Sequence, residues 1–238
     1  MSICLIDPDN PAIDFPDIEQ AAEDPNGLLA IGGNLSVDNL LRAYRSGVFP
    51  WYDQNSPILW WSPDPREILL RGDQHWSRSM RKVQRAENMH ITSDMAFTEV
   101  IQACSRTNKN QSDIQNDAWI TEEMQQAYIE LHRAGFAHSL EVWQQDQLVG
   151  GLYGVRIGAA FCGESMFSRV SNSSKLAFLS LAEHLFAAGF QFIDCQFETE
   201  HLRSLGTQAV SRSQYKKLLS EALQNQPSWP SSFQSNLG

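Results

Sequence analysis

Cysteine is sparse in this chain of 238 residues: the four present, Cys4, Cys104, Cys162 and Cys195, are scattered and form no CxxC pair. That scarcity excludes a disulfide scaffold and a zinc ribbon. With no basic segment leading into an apolar run near Met1, the expected setting is a reduced cytoplasm. His132, His138, His184 and His201 lack ligand-like spacing, so no metal is expected. No apolar run reaches the ~18 residues needed to cross a bilayer, and no membrane partner is expected. The double glycine in residues 27–33 (GLLAIGG) lacks both the GKS/T tail and the GxGxxG spacing of a nucleotide loop. Ser165 sits in GESMF, where the GxSxG frame fails at its final glycine and no triad order follows, which argues against a hydrolase.

Basic charge is also short, with 18 Lys and Arg against 28 Asp and Glu and a net charge of −10, which argues against a general nucleic-acid binder. Its distribution says more than its total. Arg66, Arg71, Arg78, Arg81, Lys82 and Arg85 fall in one short segment, and the last four keep the i, i+3, i+4, i+7 spacing of one helix face. By itself such a stripe reads as a solvated face.

What the chain does have is concentrated in residues 150–206. Alternation in 148–157 and the run 159–167 predict two strands turning at Gly158. Ser171, Asn172 and Ser173 offer acceptors for the N-terminus of a helix apolar on most sides, which Gly189 ends. The following strand, FQFIDCQ, places Phe190, Phe192 and Asp194 on one face, so an apolar face finishes in a carboxylate. A buried carboxylate must be paired, hydrogen-bonded or protonated. Asp194 therefore reads either as a cap on the next loop or, with Glu164 and Gln196 at comparable strand ends, as part of a site. Asp194 and Gln196, two apart, are expected to share a face.

Upstream, residues 36–46 read as a capped helix, and residues 47–66 hold Phe49, Trp51, Tyr52, Trp60 and Trp61 among four prolines. That segment reads as an aromatic loop, either lining a pocket or covering a small satellite core. A helix over 121–135 with Met124, Ala127, Tyr128 and Leu131 inward, a short helix over 96–104, a polar loop over 106–116, a strand over 137–143 and a frayed C-terminal tail complete the expectation.

GESMFS, the SK opening the long helix, IDCQ and HLRSLG, with the earlier FPWY, WWSPDPR, HSLEVW and LVGGLYG, resemble in the same order the bacterial leucyl/phenylalanyl-tRNA–protein transferase family, over residues 15–212. The resemblance implies an α+β protein: a GNAT-like C-terminal domain, with a mixed sheet flanked by helices, over 65–238, and a smaller α/β N-terminal domain over 1–64. The basic helix, 77–86, falls in the larger part. It implies transfer of Leu or Phe, and less well Met, from Leu-tRNA and Phe-tRNA to proteins with N-terminal Arg or Lys, marking them for N-degron degradation. No cofactor and a monomer are expected.

Carried onto matching positions, the resemblance makes Asp194, Gln196 and Glu164 the catalytic set. Asp194 is expected to orient the amine or relay its proton, Gln196 to hydrogen-bond the reacting ester or amine, and Glu164 to face the acceptor's cationic side chain, with the base itself left open among these groups and the tRNA ribose hydroxyl. It also implies an aminoacyl pocket from Trp51, Trp119, Leu152, Phe161, Phe178, Leu181 and Leu185, and turns the stripe Arg78, Arg81, Lys82 and Arg85 into a tRNA contact. Two alternatives differ in class. An acetyl-coenzyme A enzyme would need a glycine-rich pyrophosphate loop where residues 168–175 (SRVSNSSK) contain none. A non-catalytic binder of basic N-termini would need neither the aromatic segment nor the cationic helix.

Overall fold

Short apolar runs separated by turn residues build the first part of the protein. The computed structural model describes residues 3–9, 12–85, 89–110 and 120–233. The elements begin with β1 (Cys4–Ile6), β2 (Leu28–Gly32), α1 (Val37–Arg45), β3 (Phe49–Pro50) and β4 (Leu59–Trp61), whose strands form a sheet in the order β1-β2-β4-β3. Ser36 caps α1 by accepting from the Asn39 N–H, as its sequence predicts. The aromatic segment is not a loop, because Phe49 lies on β3 and Trp60 and Trp61 on β4, all buried. Both indoles find carbonyls: Trp60 Nε1 donates to Gly32 at 2.8 Å and Trp61 Nε1 to Trp51 at 2.7 Å. With their polar edges satisfied, the rings join the core instead of lining a cleft. Strands of two and three residues leave too little alternation to be seen in sequence.

The chain continues through β5 (Arg66–Leu70), α2 (Arg78–Arg85), β6 (His90–Ser93), α3 (Phe97–Asn110), α4 (Glu122–Arg133), β7 (Ala137–Gln144), β8 (Gln147–Ile157), β9 (Ala160–Ser168), α5 (Ser173–Ala187), β10 (Phe192–Gln196), α6 (Glu200–Arg203), β11 (Gln208–Val210) and α7 (Arg212–Leu223). Its strands form a seven-stranded sheet ordered β11-β5-β10-β9-β8-β7-β6. Every pairing is antiparallel except β10 with β9, whose parallel strands are joined through the helix α5. Helices cover both faces. α3, α4 and α7 pack on one, in a core that also holds α1 and the first sheet, while α5 and Met80 of α2 pack on the other. This is the α+β arrangement, a mixed sheet flanked by helices. Among the described residues no helix is long and apolar enough to cross a membrane.

Met124, Ala127, Tyr128 and Leu131 do face inward on α4. Three local expectations fail. Asn172 precedes α5 in a left-handed conformation (φ 68°) without a side-chain cap bond, and Ser173 turns its hydroxyl to the Val149 and Val170 carbonyls. Residues 106–110, read as loop, continue α3, since polar residues extend a helix already nucleated; residues 111–116 lie outside the described part. The tail is anchored through residue 233. Trp229 stacks on His138 with centroids 3.9 Å apart, and Phe233 is buried, two apolar anchors outweighing a polar composition.

Candidate active site

β9 and β10 keep parallel register from Phe192 opposite Ala160 to Asp194 opposite Cys162, and there the pairing stops. Beyond that point Gly163 to Met166 of β9 and Cys195 and Gln196 of β10 border a cavity of about 260 Å³. Leu152 and Tyr153 of β8, Phe161 of β9, Phe178 and Leu181 of α5, Ile193 of β10, and Thr199, His201 and Leu202 complete its walls. A backbone approach between β8 and β9 fixes one side. A Cβ on Gly154 would meet the Phe161 ring at 2.6 Å and the Cys162 carbonyl closer still, so only glycine fits at this bulge.

Asp194 and Gln196 do not share a face. A bulge interrupts the β10–β5 register between them, and Gln196 has a left-handed φ of 57°. Gln196 lines the cavity, where its Nε2 donates to Glu164 Oε1 at 3.3 Å. Asp194 instead lies inside the core with no exposed surface. Arg66 grips it in a bidentate fork, Nε to Oδ1 at 2.8 Å and Nη2 to Oδ2 at 2.7 Å. Tyr215 OH donates to Oδ2 and the Gln196 N–H to Oδ1, each at 2.9 Å. Four donors occupy the roughly four lone-pair positions of a carboxylate. Asp194 therefore has no acceptor site left for a substrate, and its bond to the Gln196 backbone holds the bulge. Arg66 is itself clamped between the rings of Phe49 and Tyr215, 4.7 and 4.5 Å from its guanidinium carbon. Burial pulls the guanidinium pKa down, but the Asp194 charge offsets this and leaves it raised.

Glu164 carries the electrostatic oddity of the cavity. Burial pushes its carboxyl up to about 7, against the opposing pull of the Tyr44 and Tyr128 hydroxyls. Tyr128 OH donates to Glu164 Oε2 at 3.0 Å and is hydrogen-bonded in turn to Tyr44 OH. Burial first, then the Glu164 charge, raises both phenols well above their usual range, so they stay protonated. The cavity thus joins an apolar slot to a carboxyl poised near neutrality, backed by phenols from both parts of the fold.

Of the expected aminoacyl pocket, Leu152, Phe161, Phe178 and Leu181 line the cavity. Leu185 is fully buried but does not line it. Trp51 is 41% exposed and packs its ring on Trp61 and Phe197, outside the slot. Trp119 lies outside the described residues. Arg78, Arg81, Lys82 and Arg85 are exposed on α2 as one stripe, and none of them lines the cavity. Arg66, which falls in the same basic segment of the sequence, is 1% exposed. Sequence reasoning missed Arg66, Tyr215, Tyr44 and Tyr128 as site residues. The available signal was an arginine closing DPR and separated by one residue from the apolar run ILL, since a buried cation demands a buried acid.

Comparison with known proteins gives the family. A family model described as leucyl/phenylalanyl-tRNA protein transferase matches residues 68–220, and the model of that family's N-terminal domain matches residues 33–64. The leucyl/phenylalanyl-tRNA–protein transferase of Pseudomonas fluorescens (strain Pf0-1) is 51% identical over 220 residues, 92% of this chain and 96% of its own. The protein of the same name from Shewanella baltica (strain OS155) is 49% identical over 219 residues, 92% of this chain and 90% of its own. A GCN5-related N-acetyltransferase from Kribbella flavida aligns with 71% of this chain and 58% of its own at 10% identity and a TM-score of 0.40, a likeness too shallow to argue from. With two family models matched in chain order and about half the residues shared with full-length relatives, the chain belongs to the leucyl/phenylalanyl-tRNA–protein transferase family and is an aminoacyltransferase.

Proposed function

We propose that the protein moves leucine or phenylalanine, and methionine less well, from aminoacyl-tRNA to the N-terminal Arg or Lys of an acceptor protein in the cytoplasm, marking it for degradation, as a monomer without a cofactor. The observation that carries this reading is the slot of Leu152, Phe161, Phe178 and Leu181 opening beside Glu164 and Gln196. An aminoacyl ester is already activated, so attack by an amine needs no covalent enzyme intermediate. The protein has to hold the ester against the amine, take a proton from it and stabilise the oxyanion.

In this reading the slot takes the aminoacyl side chain and Glu164 faces the basic terminus. A cation approaching Glu164 favours its ionised form and releases its proton to solvent. The carboxylate then accepts a proton as the amine attacks, the C–N bond forms, the ester C–O bond breaks, and the proton passes to the departing ribose oxygen. Gln196 orients the reacting groups through the amide hydrogen not given to Glu164. Asp194, Arg66 and Tyr215 are positioning residues that hold the bulge on which Gln196 rides. Trp51 and Phe197, partly exposed and packed on each other, lie outside the slot and take no part in this reading.

A slot walled by packed aromatic and leucyl side chains separates substrates differing by a methylene by only about 1 to 3 kcal/mol, but rejects a β-branch by shape. The test is transfer of labelled Leu, Phe, Met and Ile from one tRNA body to an Arg-starting peptide. Transfer of the first three, with Ile at least tenfold slower, is the expected result. Binding of the peptide without any transfer, or Ile equal to Leu, overturns the reading.

A further inference from the structure

A second concave site lies behind α6, about 560 Å³ in volume. It is bounded by His75 and Ser77 before α2, Met80 of α2, Lys175 in the first turn of α5, and residues 203–206. Its walls are rigidly joined. The His75 N–H donates to the Leu205 carbonyl at 2.8 Å, and Gly206, at φ 104°, lies so close to the Asp73 carbonyl that a Cβ has no room. In a chain of net charge −10, three basic side chains line this cleft and no carboxylate does. Arg203 gives one nitrogen to Glu198 at 2.7 Å, with both groups half-exposed, whereas the bond recorded for Lys175 is a long 3.5 Å contact from Nζ to Ser204 Oγ. Such loosely held cations on a concave surface suit an anion that arrives from solvent.

The position of the cleft says which anion. One wall is the start of α2, so the cleft continues into the exposed stripe of Arg78, Arg81, Lys82 and Arg85. The other wall is α6, whose His201 and Leu202 line the slot. Through its contact with Ser204, just past the end of α6, Lys175 lies next to the partition between the two cavities, and its charge adds to burial in lowering the His201 pKa. Cationic groups thus run from the α2 stripe through the cleft to the edge of the slot. A single-stranded polynucleotide, with one phosphate per nucleotide, has the matching charge pattern.

We propose that this cleft seats phosphodiester groups at the single-stranded 3′ end of the donor tRNA, with Lys175 and Arg203 as the phosphate ligands, so that the terminal ester is delivered over α6 into the slot. The inference rests on the aminoacyl transfer reading and names the part of the donor that this surface recognises.

The experiment compares two donors, charged tRNA and an aminoacyl-adenosine that has the ester but no phosphate, with an Arg-starting peptide as acceptor. For Lys175→Gln, the ratio of kcat/KM for charged tRNA to kcat/KM for aminoacyl-adenosine falls about fivefold at ~0.1 M salt. The slope of log KM against log salt for charged tRNA becomes shallower by about 0.7. Lys175→Arg keeps the charge and recovers both values, and Lys175→Gln with Arg203→Gln roughly squares the loss. An unchanged ratio in that double variant, or an equal loss with both donors, overturns the assignment. Failure of the unaltered protein to transfer from charged tRNA at all overturns the aminoacyl transfer reading instead, so the two failures are distinguishable.

Discussion

At the scale of single residues, Glu164 and Asp194 show how two nearby carboxylates acquire different work. Asp194 is saturated by Arg66, Tyr215 and the Gln196 N–H, whereas Glu164 keeps unused acceptor capacity and a carboxyl raised by burial to about 7. A base must be ionised, so kcat/KM is expected to rise with pH through about 7. Glu164→Gln should remove that inflection and lower kcat/KM by roughly 10² to 10⁴, read in pH profiles with a pre-charged donor. The same shift has a stability sign. The folded protein holds the Glu164 proton more tightly than the unfolded chain, where 4.5 is the reference, so this stabilisation is complete below about 4.5 and is lost as pH rises through about 7. The Tm of the Gln variant should change less over that window. For the buried pair the expectation is different in kind: Arg66→Met leaves the Asp194 charge without its cation and should cost about 3 to 5 kcal/mol in urea denaturation, while adding Asp194→Asn should recover part of it. A carboxylate ending an apolar strand was visible in sequence, but its partner lies 128 residues away, and nothing local couples them.

At the scale of elements, what was legible followed length and periodicity. β7, β8, β9, α4 and α5 each carry enough turns or alternations to declare themselves, and the structure has them within a few residues of expectation. β3 and β4 are too short for that, and the bulge in β10 depends on how Gln196 pairs with Glu67 of β5, a long-range fact. That bulge decides the site, because an unbroken strand would have aimed Gln196 where Asp194 points. The cationic face of α2 was equally legible, being a matter of spacing alone. Its side chains are exposed, with only Met80 buried, so their charges can be reversed at little cost to folding. Lys82→Glu with Arg85→Glu should raise KM for charged tRNA at least tenfold at ~0.1 M salt while leaving Tm within about 2 °C. An unchanged KM would return the stripe to an ordinary solvated face.

At the scale of the whole molecule, the question is whether the two sheets are separate bodies. The four-stranded sheet ends at Trp61 and the seven-stranded sheet begins at Arg66, a boundary that invites a two-part description. The buried core does not respect it. One continuous apolar cluster takes in Leu40, Tyr44 and Trp60 from the first part with Tyr128, Val155 and Phe192 from the second. Polar contacts cross as well. Tyr44 OH meets Tyr128 OH, Phe49 covers the Arg66 guanidinium, and Arg212 Nε donates to the Ser62 carbonyl at 3.0 Å. Loss of the first part would strip Glu164 of its second phenol and Arg66 of one ring, so the site and the core depend on the same junction. Residues 28–61 and residues 147–168 should therefore lose amide protection at one denaturant midpoint in hydrogen exchange, as a single cooperative unit does. Tyr44→Phe, which removes only the hydroxyl at the junction, should lower the opening free energies of both segments together by about 1 kcal/mol. Two midpoints in the unaltered protein, with the first part opening earlier, would mean that the shared core is too weak to couple the sheets.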